Sequence, residues 1–156
     1  MGGGAGGGGR SAGGADGDGI SDEHEGRAAM TDTDGDGTAD YLDDDSDDDG
    51  IPDSEEGGNP GGAPRDSDLD GTPDFQDEDS DDNGIPDAVE GSADLDGDGA
   101  GNHADNDTVV DRLNDFVEIG GDPSAPADHD GDGTPDYNDL DSDGDFIPDG
   151  FEGELD

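Results

Sequence analysis

Residues 32–57 read DTDGDGTADYLDDDSDDDGIPDSEEG. The stretch holds two twelve-residue loops, one starting at Asp32 and the other thirteen residues later at Asp45. In each, acidic residues recur at alternate positions until a glycine, Gly37 or Gly50, interrupts them at position 6. Calcium takes about six to eight oxygen ligands in a forgiving geometry. A twelve-residue loop supplies them from positions 1, 3, 5, 7, 9 and 12, with glycine at position 6 for the sharp turn. The first loop offers Asp32, Asp34, Asp36, the Thr38 carbonyl, Asp40 and Asp43. The second offers Asp45, Asp47, Asp49, the Ile51 carbonyl, Asp53 and Glu56.

The pair recurs along the chain. Residues 66–91 (DSDLDGTPDFQDEDSDDNGIPDAVEG) and 128–153 (DHDGDGTPDYNDLDSDGDFIPDGFEG) align with 32–57 almost position for position. The first of these supplies Asp66, Asp68, Asp70, Thr72, Asp74 and Asp77 around Gly71, then Asp79, Asp81, Asn83, Ile85, Asp87 and Glu90 around Gly84. The other supplies Asp128, Asp130, Asp132, Thr134, Asp136 and Asp139 around Gly133, then Asp141, Asp143, Asp145, Ile147, Asp149 and Glu152, with Phe146 at the turn. A further pair spans 94–120. Its first loop keeps Asp94, Asp96, Asp98, Ala100, Asn102 and Asp105 around Gly99, and its second, starting at Asp107, is degenerate. A half repeat, 14–26, holds a second-type loop with Asp16, Asp18, Ile20, Asp22 and Glu25 around Gly19. Position 7 contributes its carbonyl throughout. Setting the degenerate loop from Asp107 aside, glycine stands at position 6 in seven of the eight loops, and position 12 is Asp in first-type loops and Glu in second-type loops. Chance acidity does not produce that phase.

Several departures from the pattern carry expectations. In residues 107–118, Val109 and Arg112 replace the ligand at position 3 and the turn glycine, although Asp107, Asp111, Asp115 and Glu118 stay in phase. Val109, Leu113, Phe116 and Val117 fall on one helical face, which predicts a short amphipathic helix in place of a decayed loop, with an intact calcium loop as the alternative. A phenylalanine with positive φ is strained, so the turn at Phe146 is expected to differ from the others. Ser46, between two ligands, is expected to point outward. Tyr41, Phe75, His103 and Tyr137 share position 10 of first-type loops, where they are expected to cover the loop interior or staple neighbouring units. The Pro- and Gly-containing linkers 57–65 and 119–127 read as extended connectors. Residues 1–13 are a Gly-rich segment that precedes the half repeat.

Composition sets the physical problem. Asp and Glu number 50 against four Lys plus Arg, for a formal charge of -46. Leu, Ile, Val and Phe supply 19 of 156 residues, below the roughly 20% under which so charged a chain stays disordered. Apolar burial alone does not offset the ordering entropy. Phosphate and anionic membrane surfaces repel such a chain, which excludes nucleic acid and lipid headgroups as partners. No apolar run is long enough to span a membrane, and no apolar leader follows Met1. With no cysteine there is no disulfide framework and no thiolate metal site. No nucleophile–base pair or phosphate loop points to an enzyme.

Paired helix–loop–helix calcium sites do not fit. One residue alone, Asp44, Glu78, Asn106 or Leu140, separates paired loops and leaves no room for a helix. Pro52, Pro73, Pro86, Pro135 and Pro148 at position 8 lack the N–H that joins such loops by strand pairing. Dockerin modules also need helices, and nonapeptide repeats have a period of nine. The strings DTDGDGTADYLDDDSDDDGIPD, DSDLDGTPDFQDEDSDDNGIPD and DHDGDGTPDYNDLDSDGDFIPD instead resemble thrombospondin type 3 repeats, and the resemblance covers most of residues 14–153. It implies a mostly irregular, elongated string of back-to-back calcium loops with little regular secondary structure and several Ca2+ ions. Lacking cysteine, the chain is similar to the versions found in microbial surface proteins, with rigidity resting on metal. The implied role is a calcium-rigidified rod, spacer or fibre subunit, outside the cell or on its surface, where millimolar calcium fills weak sites. A homopolymer or a larger surface protein is the expected setting. The stalk of a calcium-dependent adhesin and a calcium-storing polyanion are the alternatives.

Overall fold

The computed structural model describes residues 14–109 and 112–152. The Gly-rich segment 1–13, Asp111 and the side chain of Glu152 lie outside what is described. Among the described residues there is no strand, and the backbone is mostly irregular. No helix among them is long and apolar enough to cross a membrane.

One backbone hydrogen bond closes each of the eight loops from Asp32 onward. The N–H of position 9 donates to the carbonyl of the residue just before position 1. In first-type loops the pairs are Asp40 to Thr31 (3.0 Å), Asp74 to Arg65 (3.1 Å), Asn102 to Ala93 (2.6 Å) and Asp136 to Ala127 (2.9 Å). In second-type loops they are Asp53 to Asp44 (3.1 Å), Asp87 to Glu78 (3.0 Å), Asp115 to Asn106 (3.1 Å) and Asp149 to Leu140 (3.0 Å). The proline at position 8 fits this arrangement. Its φ is preset and its ψ is extended, as in Pro52 (φ -69, ψ 143), so it aims the next N–H across the loop without needing one of its own. One helical turn follows. It is a 3-10 turn in first-type loops (Asp40–Leu42, Asp74–Gln76, Asn102–Ala104, Asp136–Asn138). It is a single α turn in second-type loops: α1 (Asp53–Glu56), α2 (Asp87–Glu90), α3 (Asp115–Glu118) and α4 (Asp149–Glu152).

The segment 107–118 is therefore no separate amphipathic helix. Among its described residues Asp115–Glu118 alone is helical, as in the other second-type loops, and Arg112 has φ 86. Phe116 and Val117 are exposed. The loop survives because its closing bond and the side chain of Asp115 do not depend on positions 3 and 6. The turn at Phe146 keeps the left-handed backbone of the other loops. Phe146 adopts φ 77, against 98 at Gly50, and its ring is 92% exposed. Its N–H donates to Asp141 Oδ2 (2.9 Å), and the following N–H, of Ile147, donates to Asp145 Oδ1 (2.9 Å). These bonds hold a residue where L side chains are disfavoured.

The long linkers are not extended. Gly58 lies against Arg65 and Gly120 against Ala127, and the Ala127 N–H donates to the Ile119 carbonyl (3.2 Å). Each linker thus closes on itself. The first also folds back on the half repeat, where the Gly61 N–H donates to the Gly19 carbonyl (3.0 Å).

Units are joined by packing each α turn on the next 3-10 turn: α1 on Asp74–Gln76, α2 on Asn102–Ala104 and α3 on Asp136–Asn138. Phe75, His103 and Tyr137 are buried in these joints, and Tyr137 clusters with Ile85 and Ile119. Tyr41 is half-buried, with the Arg27 guanidinium 5.1 Å from its ring centre. Gly57 shows how tight a joint is. Its φ of -62 suits any residue, yet a Cβ there meets Ile20 Cγ1 at 2.5 Å and the Asp53 carbonyl oxygen at 2.9 Å. Overpacking of this kind costs about 1–3 kcal/mol. Gly57→Ala is therefore expected to lower the melting temperature measured in calcium, by steric conflict alone.

Candidate metal centres

The alternating carboxylates are organised by the loop backbone. The N–H of position 5 donates to Oδ1 of position 3, and the N–H of position 7 to Oδ1 of position 5. In the loop from Asp45 these are Asp49 to Asp47 (3.3 Å) and Ile51 to Asp49 (2.7 Å). The same bonds appear at Asp34 and Asp36, Asp68 and Asp70, Asp96 and Asp98, Asp130 and Asp132, and Asp143 and Asp145. With Oδ1 tied to the backbone, Oδ2 turns inward. Asp16, Asp18, Asp47 and Asp49 bury Oδ2 with no hydrogen-bond partner, and Asp45, Asp66 and Asp79 do so with Oδ1.

Position 12 completes the cluster. Glu25 and Glu56 are 0% exposed, and all four of their oxygens are unpartnered. Carboxylate oxygens lie within 4.8 Å of one another in the sets Asp16, Asp18 and Glu25; Asp32, Asp34 and Asp36; Asp45, Asp47 and Asp49; and Asp66, Asp68 and Asp70. In first-type loops Asp43, Asp77 and Asp105 face the charges at positions 3 and 5 of their own loop, while Oδ1 accepts the N–H of the next loop's first residue.

Burial, followed by repulsion from neighbouring carboxylates, pushes Glu56 up to about 10, Glu90 to about 9, and Glu25 and Asp47 to about 8. A buried carboxylate without a partner is costly when charged. A hard cation removes that penalty, so the donor set, all oxygen and mostly anionic, fits calcium. The loop from Asp79 is arranged differently. Asn83 Nδ2 donates to Asp81 Oδ2 (3.0 Å) and Glu90 Oε1 (2.8 Å). A cation there needs the amide turned over to offer Oδ1.

Position 9 has a second duty that spacing did not reveal. Its carboxylate accepts from position 2 of its own loop. Asp53 takes the Ser46 N–H on Oδ1 (2.7 Å) and the Ser46 hydroxyl on Oδ2 (2.7 Å). Thr33–Asp40, Ser67–Asp74, Ser80–Asp87, Thr108–Asp115 and Ser142–Asp149 form the same clasp. His129 Nδ1 takes the hydroxyl's place toward Asp136. Leu95, with no side-chain donor, faces Asn102, whose Oδ1 accepts the Leu95 N–H (3.3 Å). Ser46 does not point outward. It is 1% exposed because the clasp draws it in. The missed signal is a Ser or Thr seven residues before the position-9 Asp, present in six loops. Burial of His103 in the aromatic joint lowers its pKa.

No protein-family model matches the chain, and no curated protein is significantly similar to it in sequence.

Proposed function

We propose that the chain is a calcium-binding structural protein of the thrombospondin type 3 repeat kind. In this reading it is a calcium-rigidified rod, spacer or fibre subunit outside the cell or on its surface. The observation that carries the reading is the set of buried, unpartnered carboxylate oxygens, above all both oxygens of Glu25 and of Glu56. A chain of charge -46 that turns such oxygens inward gains its folding energy from the ions they bind. Several anionic donors on flexible loops suit calcium better than magnesium, which demands a rigid octahedron and keeps its waters. Millimolar extracellular calcium fills sites of modest affinity. The partners implied by a spacer are further copies of the chain or a longer surface protein.

Calorimetry on chelator-stripped protein tests the reading. About eight to sixteen calcium ions are expected per chain, from one per loop up to the number that carboxylates shared between loops allow. A stoichiometry of two or three overturns it.

A further inference from the structure

Second-type loops of successive units meet. Asp49 and Glu56 belong to the loop from Asp45, and Asp87 belongs to the loop from Asp79. Their carboxylate oxygens nevertheless lie within 4.8 Å of one another. Glu56 and Asp87 are both 0% exposed. Both Glu56 oxygens and Asp49 Oδ2 are unpartnered. Asp87 already accepts the Ser80 N–H on Oδ1 (3.0 Å) and the Ser80 hydroxyl on Oδ2 (2.6 Å). A carboxylate has about four lone-pair directions, so the clasp with Ser80 leaves two to face the neighbouring loop.

We propose that Asp87 is a ligand of the cation held by the preceding second-type loop, so that the site of Asp45–Glu56 is complete only when the loop from Asp79 has closed. The inference rests on the calcium reading above and goes beyond it, because it assigns one residue to two loops. The same juxtaposition recurs along the chain. Asp53 stands close enough to Glu25 and Asp18 for the charges to act on one another, and Asp115 does so with Asp81 and Glu90. Asp53, Asp87 and Asp115 thus each clasp their own loop through position 2 and face the cluster of the second-type loop before it. Filling one site favours closure of the next loop, and by linkage closure of that loop tightens the site before it.

The test follows the backbone amides of Gly50 and Gly84 in the full chain by NMR during titration with calcium chloride. Each glycine reports its own loop. Asp87→Asn keeps an acceptor for the Ser80 N–H but removes the charge. It is expected to raise the calcium midpoint at Gly50 by about tenfold, since affinity follows ligand charge. Ser80→Ala removes the hydroxyl of the clasp and keeps the carboxylate. It is expected to raise the midpoint at Gly84 and, through the weaker closure of that loop, to raise the midpoint at Gly50 by clearly less than Asp87→Asn does. If Asp87→Asn moves Gly84 alone, or moves Gly50 no further than Ser80→Ala does, the proposal is overturned. If neither glycine of the unsubstituted chain responds to millimolar calcium, the calcium reading itself falls, and this proposal with it.

Discussion

Stripped of calcium at pH 7, the chain is expected to expand toward the radius of gyration of an unfolded chain of this length, about 40 Å. Millimolar calcium is expected to contract it, and small-angle scattering reads both states. The cause lies in the carboxylates that the loops bury. Glu56, Glu90, Glu25 and Asp47 are pushed up to about 10, 9, 8 and 8, by burial first and like charge second. An unfolded chain keeps its carboxylates near the ordinary values of 4.5 for Glu and 3.8 for Asp. Between those limits the ion-free fold binds more protons than the unfolded chain, so its stability falls as pH rises. Acidifying the chelated protein from pH 7 to pH 5 is therefore expected to shrink it. In calcium the sign reverses, because protons compete with the ion for the same oxygens and acid releases it. Equal radii with and without calcium at pH 7 would sink the account.

Glu56→Gln is expected to have opposite effects in the two conditions. With calcium present, it removes a charged donor from a buried cluster and should weaken the loop from Asp45 by about tenfold or more. In chelator it removes a buried carboxyl that the fold must protonate to keep at pH 7, since burial pushes Glu56 up to about 10, so the variant should be at least as compact as the parent. Glu55→Gln, one residue away and exposed, serves as the control and should change neither reading. Calcium titration followed at Gly50, with scattering in chelator, separates the two effects. A Glu56→Gln variant that bound calcium like the parent would remove position 12 from the ligand set.

Much of this architecture was legible because calcium loops impose a strict phase. Alternate carboxylates with glycine at position 6 marked the sets that the backbone now gathers, such as Asp45, Asp47 and Asp49. What escaped the reading depends on contacts that a period does not encode. Spacing made Ser46 a filler residue, whereas its hydroxyl and N–H bind Asp53. The apolar stripe of 107–118 suggested a helix, but Thr108 and Asp115 hold the loop closed whatever lies between them. Phe146 predicts a turn unlike the others, yet hydrogen bonds to Asp141 and Asp145 hold it at positive φ. The linkers looked extended because nothing in their own composition shows that Gly58 meets Arg65 or that Gly120 meets Ala127. Contact between Glu56 and Asp87 is invisible to a thirteen-residue step, since it arises from how units stack.

The position-2 to position-9 clasp also sets an order of events in time. Its partners are seven residues apart along the chain, and loops of about ten residues close in roughly 10–100 ns. The joint of Ile85 with Tyr137 links distant segments, and its closure entropy is larger. Rings therefore form first and docking between units follows. A chain meeting calcium as it emerges is expected to acquire its shape by zippering from ring to ring, each unit needing only the next to be present.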